Sequence, residues 1–156
     1  MDPDALMRLA IEKARSGIAA GQSPFGCAIA VGERVVAVEH NRVLATTDIT
    51  AHAEVTALRA ACRATGSIHL TGARVATTCE PCPMCMAALH WGRVETVYYG
   101  ATIADATAGG FNELHIPATE IVRLGGSNVK LVSGTLQAEC AGLFAEWQAA
   151  GQARSY

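Results

Sequence analysis

Two short stretches of the sequence combine residues that can hold a metal ion with one that can move a proton. His52 and Glu54 stand on either side of a single alanine, and Cys82 and Cys85 belong to a Pro-Cys-Pro-Met-Cys run. One imidazole and two thiolates suit Zn²⁺, and three protein ligands leave a fourth position for water. Zinc lowers the pKa of such a water from about 15.7 to about 7. Glu54 is then expected to exchange protons with that water.

Each of these motifs has another interpretation when it is taken alone. A histidine at the start of a helix is often only a cap, and a Cys-x-x-Cys pair can be a redox couple. Cys79, Cys82 and Cys85 are spaced like part of an iron–sulfur run, but the next position of that run holds Leu89. A structural zinc site would close with four protein ligands, and the sequence has no second cysteine pair apart from this run. The scattered cysteines are expected to be buried apolar residues: Cys27, Cys62 and Cys140.

The composition of the chain argues against nucleic acids and membranes as binding partners. The chain has 156 residues, with 12 Lys and Arg against 14 Asp and Glu, a net charge of −2, and only 5% aromatic residues. A nucleic-acid surface is normally basic, and a base-stacking platform needs aromatic rings, so we expect no nucleic acid as partner. No apolar run has the roughly 18–20 residues of a membrane span, and the acidic start does not resemble a secretory signal. The sequence therefore predicts a cytoplasmic protein with no membrane contact.

Hydrophobic periodicity and breakers predict how the chain positions these residues. Strands are expected at 25–31, 34–38, 74–78, 94–100 and 129–133, the first two as a hairpin. Helices are expected at 3–20, 51–64, 83–91, 118–124 and 137–149, and 103–108 is either a loop or a short helix. A hairpin followed by alternating helices and strands favours helices on both faces of a sheet. We therefore predict an α/β fold, a three-layer α/β/α sandwich with a five-stranded mixed sheet.

The two motifs are much more specific together than apart. His-x-Glu followed by Pro-Cys-x-x-Cys, with 28 positions from Glu54 to Cys82, is the signature of the zinc nucleobase deaminases. The sequence resembles the cytidine deaminase-like superfamily and, within it, the bacterial guanine deaminases. The resemblance spans nearly the whole chain and is carried by residues 24–26, Asn41, 50–57, 79–85, Trp91, Gly110, Phe111, Phe144, Trp147 and Tyr156.

The resemblance implies a role for each candidate site residue. The implied metal ligands are His52, Cys82 and Cys85, and the implied catalytic carboxylates are Glu54 and Glu113. The implied substrate contacts are Phe25 and Trp91 as walls, Asn41, the backbone N–H of Ala53, and Tyr156. Glu113 is one methylene longer than the aspartate typical of those enzymes. The substrate contacts also have ordinary interpretations, as strand core, turn, helix-end core or chain end, and Glu113 could be a surface glutamate.

The function that the resemblance implies is zinc-dependent deamination of a free nucleobase. Guanine would be converted to xanthine and ammonia by a single domain spanning 1–156, with Zn²⁺ as cofactor. The protein would be a homodimer whose C-terminal segment, about 137–156, is exchanged between subunits. Cytosine, guanosine or an aminotriazine such as ammeline are alternative substrates on the same scaffold. A tRNA adenosine deaminase ranks lower, and a non-catalytic protein structured by zinc ranks last because such a protein has no use for Glu54.

Overall fold

The computed structural model describes residues 1–151 and 153–156 as one sheet covered by helices. The five strands are β1 (Gly26–Val31), β2 (Arg34–His40), β3 (Ala73–Cys79), β4 (Thr96–Ala101) and β5 (Lys130–Val132). The helices are α1 (Pro3–Ala19), α2 (Val43–Thr46), α3 (Ala53–Thr65), α4 (Pro83–Trp91), α5 (Ile103–Ala108), α6 (Ala118–Gly125) and α7 (Gln137–Ala149).

The sheet is mixed, as the sequence predicts. Its strands lie in the order β2-β1-β3-β4-β5. β1 pairs antiparallel with β2, as the predicted hairpin, and also with β3. β3, β4 and β5 run parallel to one another. The carboxyl ends of β3 and β4 therefore meet at one edge of the sheet, which is where ligands bind in open α/β sheets.

Helices cover both faces of the sheet. α1 and α7 pack on one face, over a core that includes Leu6, Ile11 and Leu143. α3, α4 and α6 lie on the other side, around a core that includes Met86 and Val97. This arrangement confirms the three-layer α/β/α prediction. Among residues 1–151 and 153–156, no helix is both long and apolar enough to cross a lipid bilayer.

Local signals explain where the helices begin and how closely they pack. The Asp2 side chain accepts a hydrogen bond from the Ala5 N–H at 2.9 Å, and Pro3 occupies the first turn, so α1 starts as predicted. α3 ends at Gly66, which has a left-handed φ of 67°. Gly26 lets α1 approach β1 closely, because a Cβ there would lie 2.0 Å from the carbonyl oxygen of Ala10.

Two local features differ from the sequence prediction, and one alternative that it left open is decided. A short helix, α2, follows β2 where only turn residues were expected. The open alternative at 103–108 resolves as helix α5, since the Thr102 and Asp105 side chains form a capping box at its start. β5 has only 3 residues and is shorter than predicted, which fits its position at the edge of the sheet.

Candidate active site

The metal-ligating residues lie at the starts of two helices. His52 is the N-cap of α3 and Cys82 is the N-cap of α4, and neither side chain forms a capping hydrogen bond. The imidazole and the thiol are therefore free to turn towards each other. Cys85 follows in the first turn of α4 and is fully buried. The positive ends of both helix dipoles favour a thiolate at this point.

The three ligand atoms fit a zinc ion. The Nδ1 atom of His52 lies 3.7 Å from the Sγ of Cys82 and 3.6 Å from the Sγ of Cys85. All three atoms lie within 4.8 Å of one another. Tetrahedral zinc, with bonds of about 2.0–2.1 Å to nitrogen and about 2.3 Å to sulfur, separates such ligands by about 3.6 Å. The residues are positioned to bind one metal ion, with a fourth coordination position left for water.

The two thiols have opposite pKa shifts. A hydrogen bond with the Cys85 thiol, helped by one with His52, lowers the pKa of Cys82 to about 4 against the cost of burial. The bond to Cys82, together with burial, raises the pKa of Cys85 well above its ordinary value. The bond between the two thiols therefore favours the anion on Cys82 over the anion on Cys85. A bound divalent cation would deprotonate the coordinating thiols outright.

Glu54 lies beside the three metal-ligating residues, where its carboxyl group is buried and held by a hydrogen bond. Its side chain is buried, and burial raises the pKa of its carboxyl group. The hydroxyl of Thr77 donates to its Oε1 at 3.0 Å, and the Cys85 thiol lies 3.5 Å from its Oε2. The carboxylate is therefore held next to the metal ligands without belonging to the three-residue cluster. Sequence reasoning missed Thr77, because a threonine inside a fully buried strand carries no distinguishing pattern.

A small pocket opens beside these groups. It is lined by Phe25, Asn41, His52, Glu54, Cys79, Glu80, Cys82, Glu113 and Tyr156 and has a volume of about 20 Å³. Seven of the predicted site residues therefore line one pocket: His52, Glu54, Cys82, Phe25, Asn41, Glu113 and Tyr156. Cys79 ends β3, as predicted, and its thiol lies 3.4 Å from the carbonyl oxygen of Thr102.

The Asn41 amide has a fixed orientation in this pocket. Asn41 is fully buried, and its Oδ1 accepts a hydrogen bond from the Val43 N–H at 3.1 Å. Since a backbone N–H can only donate, the oxygen must face Val43 and the amide nitrogen must face the pocket. That nitrogen donates to the hydroxyl of Tyr156. Asn41 thus offers a hydrogen-bond donor to whatever occupies this position.

Tyr156 closes the mouth of the pocket. Its backbone oxygen accepts from the Asn112 N–H at 3.0 Å, and its ring lies 5.4 Å from that of Phe111 and 5.7 Å from that of His52. Phe111 in turn packs edge-on against Phe25 at 4.9 Å. Within the single chain, residues 153–156, which we call the C-terminal arm, therefore cover the chain's own site. Exchange of the segment 137–156 between subunits stays a prediction.

The structure places Trp91 elsewhere. It is the last residue of α4, about 13 Å along the helix from the metal-ligating end at a rise of 1.5 Å per residue. Its side chain is 74% exposed and borders a separate groove with His69, His90 and Arg93. Within one chain Trp91 therefore does not line the pocket, because the helix carries it away from the metal cluster, and its contact with a substrate stays a prediction.

The remaining predicted residues have mixed outcomes. Ala53 is fully buried as the first residue of α3, where the backbone N–H has no acceptor inside the helix. Its contact with a base stays a prediction. Cys27 and Cys140 are buried as expected, whereas Cys62 is only half-buried. Glu80 also lines the pocket, although no sequence feature distinguishes it within the motif that contains it.

A mixed five-stranded sheet with a His-x-Glu helix and a Pro-Cys-x-x-Cys helix starting at one edge defines a zinc-dependent deaminase. Residues 1–101 match the family described as the cytidine and deoxycytidylate deaminase zinc-binding region, and the chain belongs to this family. It is therefore a hydrolase acting on C–N bonds, with a zinc site formed by His52, Cys82 and Cys85.

The relatives of this chain include enzymes of two specificities. A guanine deaminase of Bacillus subtilis (strain 168) is 39% identical over 117 residues, which cover 74% of this chain and 75% of that protein. A tRNA-specific adenosine deaminase of Agrobacterium fabrum (strain C58 / ATCC 33970) is 42% identical over 95 residues, covering 61% and 62%. The solved guanine deaminase from Nitrosomonas europaea superposes with a TM-score of 0.86 at 28% identity, covering 95% of this chain and 85% of that one. Similarity alone thus gives the reaction class but not the substrate.

Proposed function

We propose that the protein deaminates a free nucleobase, with guanine as the preferred substrate. The observation that carries this proposal is the Tyr156 side chain over the pocket. With its hydroxyl bonded to Asn41, the pocket keeps only about 20 Å³, roughly the space of one water molecule. A base enters only when the arm moves, and the returning arm encloses a free base more readily than a base attached to a polynucleotide.

The charge of the site also supports a small neutral substrate. Among the described residues, the pocket is lined by the three carboxylates of Glu54, Glu80 and Glu113, with no lysine or arginine. The outer groove at its mouth, between Ile49 and Leu114, likewise contains no lysine or arginine among its described lining residues. A binding site for a tRNA backbone needs cations to neutralise phosphates. The net charge of −2 points the same way.

The chemistry at the site follows from the groups that surround it. A zinc ion held by His52, Cys82 and Cys85 supplies the Lewis acidity that makes water nucleophilic near neutral pH. Glu54 accepts a proton from the water as its oxygen bonds to the ring carbon that carries the amino group, and delivers that proton to the ring nitrogen next to this carbon. The other water proton passes to the amino group as the C–N bond breaks, so that guanine and water give xanthine and ammonia. The closed arm excludes bulk water during these transfers.

The other pocket residues orient the base and assist the second transfer. The Asn41 amide nitrogen donates to an acceptor on the ring, and it is released for this when Tyr156 moves away. Phe25 packs against the face of the ring. Glu113, which lines both the pocket and its mouth, is in place to help pass the second proton to the leaving amine.

The decisive experiment is ammonia release from a panel of substrates. Guanine, guanosine, cytosine, cytidine, adenine and ammeline are compared with an unmodified tRNA that carries adenosine in the anticodon loop. We expect guanine to give the highest kcat/KM. A preference for cytosine or ammeline would keep the free-base class and replace the base. Steeply salt-dependent tRNA binding with conversion of adenosine to inosine would overturn the proposal.

We also propose that the protein is a homodimer with exchanged arms, which complementation can test. One variant carries Glu54→Gln with an intact arm, and the other keeps Glu54 but ends at Gly151. If arms are exchanged, mixed dimers contain one site with both Glu54 and a covering arm, so mixing the two inactive proteins restores activity. Arms that cover their own site would give no restoration. Native mass spectrometry, which resolves the mass difference between the two chains, checks that mixed dimers form.

A further inference from the structure

Glu80 connects three elements around the active site. It stands between the end of β3 and the metal-ligating Cys82, and its N–H donates to the carbonyl oxygen of Ala101 at 2.8 Å. Its Oε2 accepts from the N–H of Ile103, the first residue of α5, at 3.2 Å. Its Oε1 accepts from the N–H of Ala118, the first residue of α6, at 2.9 Å. A single carboxylate thus holds the starts of two helices.

The chain between these two helices reaches the pocket. The stretch 109–117 follows α5 and precedes α6, and residues 111–117 have no regular secondary structure. This stretch carries Phe111, which packs on Phe25, and Glu113, which lines the pocket. The Asn112 N–H donates to the backbone oxygen of Tyr156. Such a segment has few internal bonds of its own, so its position depends on how its two ends are fixed.

We infer that Glu80 is a positioning residue, which fixes the segment 109–117 relative to the metal-binding loop and thereby places Glu113 in the pocket. This inference rests on the proposed role of Glu113 in deamination. The two bonds are charge-assisted. One holds the start of α5, the helix that leads into the segment, and the other holds Ala118, directly after it, so losing both loosens the segment from both sides. Glu80 does not need to touch the substrate to have this effect.

The test compares Glu80→Ala and Glu80→Gln with the wild-type protein, all in the zinc form. Activity is measured on whichever base of the panel is turned over fastest. We expect Glu80→Ala to lower kcat about 100-fold, because small misplacements of a reacting group have effects of that order. Glu80→Gln keeps one acceptor oxygen and should lose less. Zinc content should be unchanged, and hydrogen exchange of amides 103, 109–116 and 118 should become faster.

Two further variants separate positioning from simple helix capping. Asp105→Ala removes the capping box of α5, in which the Asp105 carboxylate accepts from the N–H and hydroxyl of Thr102 at 2.8 Å, but leaves α6 held. We expect it to lower stability with little change in kcat. In a Glu113→Gln background, Glu80→Ala should lower kcat by less than about a further 3-fold, because Glu80 acts on the reaction through Glu113.

Several results would overturn the inference. The first is an equal loss of kcat in Glu80→Ala and Asp105→Ala, and the second is a double variant in which the losses of kcat from Glu80→Ala and Glu113→Gln multiply. The others are loss of zinc from Glu80→Ala, or hydrogen exchange of the amides in 109–118 that does not change. If the wild-type protein turns over no base of the panel, the proposed function fails. Hydrogen exchange then decides by itself whether Glu80 holds the segment.

Discussion

Thr77 and Thr78 are adjacent threonines of β3 that point to opposite faces of the sheet, and each is only 1% exposed. The Thr77 hydroxyl donates to Glu54 at 3.0 Å, whereas the Thr78 hydroxyl accepts from the Gly26 N–H at 3.0 Å. Thr77→Val therefore removes the hydrogen bond that orients the proposed proton carrier. A hydrogen bond to a charged group contributes about 1.5–3 kcal/mol. If the bond is needed in the transition state, kcat should fall about 10- to 150-fold.

Thr78→Val is the matched control, since it removes a buried hydroxyl from the neighbouring position and leaves one buried N–H unpaired. Either variant should lose about 1–3 kcal/mol of stability, which for a chain of this size lowers Tm by about 2–12 °C. Only Thr77→Val should lower kcat, and both should keep their zinc. Steady-state ammonia release, thermal unfolding and metal analysis give the three readouts. A Thr77→Val enzyme within 2-fold of wild type, or an equal loss in Thr78→Val, would refute the assigned orientation of Glu54.

Three further variants test the rest of the site. Glu54→Gln should keep fold and zinc but lose about 10²–10⁴-fold in kcat, because the amide cannot carry the proton; turnover within about 10-fold of wild type would contradict that role. The wild-type protein should hold about one zinc per chain and Cys85→Ser much less, since one of three protein ligands is weakened; equal zinc in the two would place the metal elsewhere. Ending the chain at Gly151 should impair turnover far more than zinc content or Tm, as expected for a weakly packed covering arm; unchanged kcat and KM would reduce that arm to a tail.

The metal cluster was accessible to sequence reasoning because its geometry is local to two helix starts. His52 and Cys82 precede α3 and α4, and Cys85 follows one turn later on the same helix. The spacing inside each motif is enough to predict two half-sites. β2 and β3 both pair antiparallel with β1 and so run in the same direction, which brings the starts of α3 and α4 to one edge of the sheet. The family signature then supplies the information that the two halves belong together.

The contacts that depend on tertiary packing were not accessible in the same way. Thr77 reaches Glu54 across the boundary between a strand and a helix, and Glu80 reaches two helix starts that lie 23 and 38 positions further along the chain. Neither Thr77 nor Glu80 is marked by a periodic pattern in the sequence. Trp91 shows the reverse case, since its residue type and sequence position predict a substrate contact, whereas within one chain it lies at the far end of α4 from the metal cluster.

The end of the family match separates the residues of the reaction from the proposed contacts at the mouth of the pocket. The match ends at Ala101, the last residue of β4, and so includes all the metal ligands, Glu54 and Asn41. Glu113 and Tyr156 lie beyond it. Because the chain is similar both to a guanine deaminase and to a tRNA-specific adenosine deaminase, similarity cannot separate a free base from a polynucleotide. Under the proposed function that discrimination comes from the segment 109–117 and the C-terminal arm, which together limit how much of a substrate the closed pocket can admit.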